Sequence, residues 1–177
     1  MRGRGWALVA VAGVLIAAGA VALVRVNAAA DRSCAVTLRG DEAKVRTERW
    51  QPLTENLPGI GDYVDIHWQT RAAGDPCLRA PGPTDWHYQG LIRLRPEDAS
   101  ALAAGYDWRP VLASAPPGTY EWDTPAQMWP ALAPFSPAQP HWLHSQAYAS
   151  TNFQHAKWGD LYLDPAAGLA FFVLLDH

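Results

Sequence analysis

The chain has 177 residues, a net charge of −3 and both signs of charge interspersed. That balance offers no basic stripe for nucleic acid and no acidic, solvating tail. Nine tryptophans and fifteen prolines indicate an ordered, loop-rich domain with aromatic packing, since disordered chains lack aromatics.

The first element is an apolar run from Trp6 to Val24, preceded by Arg2 and Arg4. At about 1.5 Å per residue it matches the ~30 Å hydrocarbon core of a bilayer. Only a helix satisfies its own backbone polar groups there. The run is apolar on every face, which argues against a buried core helix. Residues 1–25 are therefore read as a single transmembrane anchor that meets the lipid bilayer through residues 6–24. The alternative is a signal peptide cut near Ala30, after Ala28-Ala29, which would release a secreted chain. The length of the run favours the anchor. Arg2, Arg4 and the amino terminus outweigh Arg25 and Arg32, whose charge Asp31 partly offsets. The N-terminus is thus expected in the cytoplasm and the rest of the chain outside.

Residues 26–33 read as a linker and residues 34–177 as one globular domain, enough for a core but hardly for two. Cys34 and Cys77 are the only cysteines, and outside the cytoplasm they are expected to form a disulfide. Val36, Leu38, Val45 and Thr47 alternate around Gly40-Asp41, which suggests a hairpin; a helix starting near Asp41 fits almost as well. On the hairpin reading the tripeptide Arg39-Gly40-Asp41 is a turn. Residues 52–62 form a loop punctuated by Pro58-Gly59 and Gly61. Tyr63–Gln69 alternates as a strand, Arg71–Thr84 is a loop, and Trp86–Leu94 is a second strand. A helix follows from Pro96, with Glu97 and Asp98 in its first turn and Gly105 as its stop.

Arg109–His141 contains eight prolines, too many for sustained regular structure. Trp122, Met128, Trp129, Leu132 and Phe135 predict an ordered loop packed on the domain; such loops are often functional, and a simple cover over one sheet face is the slightly preferred reading. Leu161–Leu163 and Leu169–Leu175 are strands around a turn at 164–168. The second of them is apolar on both faces and so belongs in the middle of the sheet. The fold class is α+β: mainly antiparallel sheet, one or two short helices and a long Pro-rich loop.

One pattern occurs twice. Asp65-Ile66-His67-Trp68-Gln69 and Asp85-Trp86-His87-Tyr88-Gln89 share Asp-x-His-aromatic-Gln. If the strands pair, Asp65, His67, Gln69, His87, Gln89 and Arg93 line one surface, with Asp85 at its edge. Asp65, His67, Asp85 and His87 could then hold zinc or move protons, as in a metal-dependent hydrolase. The plainer reading, a solvated or loop-covered polar face, is preferred. His141 and His144 form a weaker pair, with no Glu or Cys to complete a known signature. Trp108, Trp122, Trp129 and Trp142 would suit a glycan if exposed and coplanar, but burial is the default for tryptophan in a small core. There is no phosphate loop, nucleophile elbow or catalytic-cysteine pattern. No catalytic residue and no cofactor are assigned.

The Ala-, Gly- and Trp-rich composition, Asp75-Pro76-Cys77, and Pro81-Gly82-Pro83-Thr84-Asp85 before the Trp86 strand resemble uncharacterised single-pass membrane proteins of actinobacteria, mainly over residues 57–110. The resemblance implies a location and no activity. The expected function is a non-enzymatic binding or interaction domain of the cell envelope, its partner an envelope protein or a glycan.

Overall fold

The computed structural model describes residues 30–49, 57–77, 85–112, 123–153 and 157–176, with backbone alone at 157 and 158. The apolar run at 6–24 and Trp122 lie outside the described residues. Among the described residues no helix is long and apolar enough to cross a membrane. The chain forms two compact units, a small one containing residues 30–41 and Cys77 and a larger one that takes in Glu42–Pro76 and the rest of the described chain.

The small unit is built on helix α1, described over 30–42, where the sequence suggested a hairpin or a helix beginning near Asp41. The helix ends near Asp41 instead, and 30–33, expected in a linker, are part of it. Its least exposed residues before Glu42 are Ala35 and Leu38, a helical spacing that the alternation of Val36 and Leu38 concealed. Thr37 Oγ1 donates to the Ser33 carbonyl and Arg39 Nε to the Ala35 carbonyl, each one turn back. Gly40 and Asp41 therefore lie within the last turn of a helix. Cys34 and Cys77 are joined in a disulfide with Cα atoms 5.8 Å apart. Closing a loop of this length stabilises by roughly 4 kcal/mol in the chain-entropy model.

The larger unit is a six-stranded antiparallel sheet. Its strands are β1 (Asp65–Ala72), β2 (Trp86–Arg93), β3 (Arg109–Pro110), β4 (Leu143–His144), β5 (Lys157–Asp164) and β6 (Leu169–Asp176). They lie in the order β1-β2-β6-β5-β4-β3. The expected pairing of the first two strands is present, with Asp65 opposite Arg93 and Gln69 opposite Gln89. The apolar strand β6 sits between β2 and β5, as its two apolar faces require. β1 continues to Ala72, three residues beyond its expected end, because Ala72 pairs with Trp86.

Alternation along the strands gives the sheet two buried faces. One carries Ile66, Trp68, Ile92, Phe172, Leu174, Leu161 and Leu163 in a single cluster with Leu57, Ile60 and Tyr63 from the preceding loop. Helix α2 (Pro96–Gly105) adds Ala99 and Leu102, and helix α3 (Gln146–Asn152) adds Tyr148. Pro96 opens α2 with Glu97 and Asp98 in its first turn, as the sequence indicated. Ser145 caps α3 by accepting from the Tyr148 N–H. Tyr148 Oη donates to the Pro58 carbonyl at 3.0 Å, tying the helix to the loop.

The opposite face carries Leu91, Tyr162, Phe171 and Val173, and Trp129 and Leu132 from the Pro-rich segment close over it. That segment contributes two 3₁₀ turns, Pro125–Gln127 and Ala133–Phe135. It is the cover that its aromatics predicted.

Gly90 marks a tight point of the helix-side face. It lies opposite Trp68 on one side and Phe172 on the other. A β-carbon there would run into the Phe172 ring and Trp68 Cβ. A Gly90→Ala chain should lose about 1–3 kcal/mol, the scale of core overpacking. Urea unfolding would read this as an earlier midpoint at unchanged slope; an unchanged midpoint would contradict the packing described.

Candidate functional site

The face beneath the Pro-rich segment holds nearly all of the polar residues marked by the sequence. Strand register arranges them in rows. The first runs Asp65, Arg93, Leu169, Asp164; the second His67, Leu91, Phe171, Tyr162, His144, Arg109; the third Gln69, Gln89, Val173, Asp160. Arg71 and His87 begin a fourth.

The third row is buried: Gln69, Gln89 and Asp160 are at most 3% exposed. Gln89 Nε2 donates to Asp123 Oδ2 at 2.8 Å, and its Oε1 accepts the Trp129 backbone N–H at 2.9 Å. One side-chain amide therefore fastens both ends of the first turn of the cover. Gln69 Nε2 donates to the Glu42 carbonyl at 3.0 Å, and the Glu42 carboxylate accepts the Ala72 N–H. These amides hold chain segments in place, though Gln69 Oε1 is buried without a partner among the described residues.

Asp160 and His144 form a pair that sequence reasoning missed. His144 Nε2 lies 2.8 Å from Asp160 Oδ1, with both side chains largely buried. Asp160 also accepts from the Leu161 N–H, and Tyr162 Oη approaches it at 3.5 Å. The pair joins the two-residue strand β4 to β5. Its signal was the alternation Asp160, Tyr162, Asp164 against Leu161 and Leu163, which turns both aspartates towards the cover. Asp164 accepts the His141 and Ala167 backbone N–H groups. His141 itself is exposed, so the two histidines at i, i+3 do not meet.

The repeated Asp-x-His units do not converge either. His67 is opposite Leu91, and His87 lies four residues further along β2, about 13 Å at strand rise. Asp65 pairs with Arg93 at one end, while Asp85 lies beyond the Ala72–Trp86 pair at the other. Antiparallel pairing puts the same parity on one face but sends equivalent positions to opposite ends. Among the described residues no group of three His, Cys, Asp or Glu could hold a metal ion.

His87 and Trp129 form a second corner. The His87 ring stands edge-on to Trp129, and the Arg71 guanidinium lies over the same indole at 4.1 Å. Trp129 is 7% exposed. Trp142 is half-buried and packs on Phe171. Trp108 belongs to the other face, where its Nε1 donates to the Leu102 carbonyl and its ring packs on Tyr148. These three tryptophans thus split between the two faces and form no exposed coplanar set.

At the remaining corner, Asp65, His67 and Arg93 border an open recess of about 170 Å³ with Leu91, Leu169, Pro134 and Phe135. The His67 ring stacks on Phe135 with centroids 3.7 Å apart. Arg93 Nε is 3.5 Å from Asp65 Oδ2, and both side chains are about half-exposed. The sequence marked Asp65, His67 and Arg93 for this face but Phe135 only for the cover, from which it reaches His67.

Comparison with protein-family models, curated proteins and solved structures finds no match to this chain.

The second corner responds to acid in a defined direction. His87 Nε2 is buried without a hydrogen-bond partner, 3.6 Å from Asp123 Oδ2. Burial holds the His87 pKa below its ordinary value; Arg71 acts the same way, and Asp123 opposes them. The unfolded chain takes up this proton near the ordinary pKa of about 6.5, before the folded chain does. Stability from His87 is therefore present above that pH and declines as pH falls through it. Relative to His87→Gln, the native chain should lose stability between pH 7 and pH 5. A relative gain on acidification, measured by urea unfolding, would mean that a charged His87–Asp123 pair is favoured instead.

Proposed function

We propose that this chain is a membrane-anchored, non-enzymatic binding domain working outside the cytoplasm at the cell envelope. The observation that carries the reading is the Cys34–Cys77 disulfide, because such bonds persist in oxidising compartments and are rare inside cells. The apolar run at 6–24 supplies the anchor by length, and the balance of flanking charge sets the N-terminus in the cytoplasm. Location and anchoring are also what the resemblance to actinobacterial single-pass proteins implies.

The chemistry of the sheet face supports binding over catalysis. Gln69, Gln89, Asp160, His144 and Asp164 are engaged in holding chain segments together. The groups left facing solvent, Asp65, His67 and Arg93, line a small recess suited to recognition.

Intact cells provide the test. External protease should digest the chain beyond Val26 and leave a membrane stub. Mass analysis without reduction should find Cys34 joined to Cys77 in protein taken from its own membrane. Full protection from protease, a soluble chain beginning near Asp31, or two free thiols would each contradict the anchored, exported reading.

A further inference from the structure

We propose that the recess at the β1–β2 corner is a binding site for a small amino-acid zwitterion, with the carboxylate taken by Arg93 and the ammonium by Asp65. This rests on reading the domain as a binding module and adds the class of ligand. Elsewhere on the same face Gln69, Gln89, His144, Asp160 and Asp164 bind other parts of the chain, whereas the charges of this corner are not so engaged. Arg93 turns its Nε, at a loose 3.5 Å, towards Asp65. A tight charge-assisted contact would be about 2.7–2.9 Å. The two terminal nitrogens of its guanidinium make no hydrogen bond among the described residues, and the second Asp65 oxygen makes none either. A planar fork with free donors matches a carboxylate in two-point geometry.

The walls set the size and the character of the occupant. The His67–Phe135 stack forms one side and Leu91 and Leu169 line the floor. The volume of about 170 Å³ is close to that of a cavity that accepts benzene, roughly 150 Å³. An amino acid with a small side chain has about that many heavy atoms. Its two charges would sit against two opposite charges already held in register on neighbouring strands. A lone anion would meet the repulsion of Asp65, and a lone cation that of Arg93. The pair therefore selects a ligand carrying both.

Titration calorimetry on the full-length, disulfide-bonded protein tests this with alanine, propionate, ethylamine and the dipeptide Ala-Ala. Alanine should bind saturably at one site, and propionate and ethylamine at least tenfold more weakly. Arg93→Gln should weaken alanine at least tenfold, as loss of a charge-assisted contact does. Asp65→Asn should narrow the gap between alanine and propionate. Both side chains are half-exposed, so both variants should keep the thermal midpoint of the native chain. Tighter binding of Ala-Ala than of alanine would support the same two-charge chemistry with a dipeptide zwitterion as its source. No saturation by alanine or Ala-Ala at about 50 mM, where even millimolar affinity would show, would overturn the proposal. So would equal affinity for propionate and alanine, or binding unchanged in Arg93→Gln. The protease and thiol assays read location separately, so failure here is distinguishable from failure of the export reading.

Discussion

A single primary amide in the middle of β2 holds the second layer of this domain together. Gln89 is fully buried, and a buried amide without partners would cost several kcal/mol. It finds them in the Pro-rich segment, donating to Asp123 and accepting from the Trp129 backbone. The segment has a matching need. Residues packed against a sheet without regular structure must still satisfy their backbone N–H groups. Proline reduces that need because it has no N–H to satisfy, and Pro125, Pro130 and Pro134 all lie in the part that covers the face. Few donors remain, and Gln89 meets one of the most deeply placed. The abundance of proline and the burial of one glutamine are two sides of the same solution.

With that clamp in place, both faces of the sheet are covered by different means. Helices α2 and α3 cover one face with Ala99, Leu102 and Tyr148. The other is covered by Trp129 and Leu132 from a segment with only two short 3₁₀ turns. The β1 edge is partly closed by Arg46, whose backbone exchanges two hydrogen bonds with Trp68. An edge so covered is less open to pairing with another chain. Beyond the reach of the cover's hydrogen bonds, the Asp65–Arg93 corner keeps its charges in solvent. The same geometry that engages polar groups in the third row, and Asp164 at the far end of the first, leaves Asp65 and Arg93 available.

Much of this was legible from local pattern. Period-two alternation gave β1 and β2 and their shared face. The apolar run Leu169–Leu175 gave an inner strand, and Pro96 with Glu97, Asp98 and Gly105 bounded α2. Three things were not legible, each for a physical reason. Helix α1 was hidden because Val36 and Leu38 alternate like strand residues while Ala35 and Leu38, at helical spacing, are the less exposed pair. The separation of His67 from His87 depends on antiparallel register, and an identical motif in both strands disguised it. The His144–Asp160 pair and the His67–Phe135 stack join residues 16 and 68 positions apart, and no local spacing encodes such contacts.

The central claim is that the Pro-rich segment is part of the core through Gln89, not a loose loop resting on it. Native-state hydrogen exchange at the Trp129 amide measures this directly, because that N–H donates to Gln89. Its opening free energy should approach that of the central strand β6. Exchange as fast as that of an exposed loop, with β6 still protected, would contradict the account.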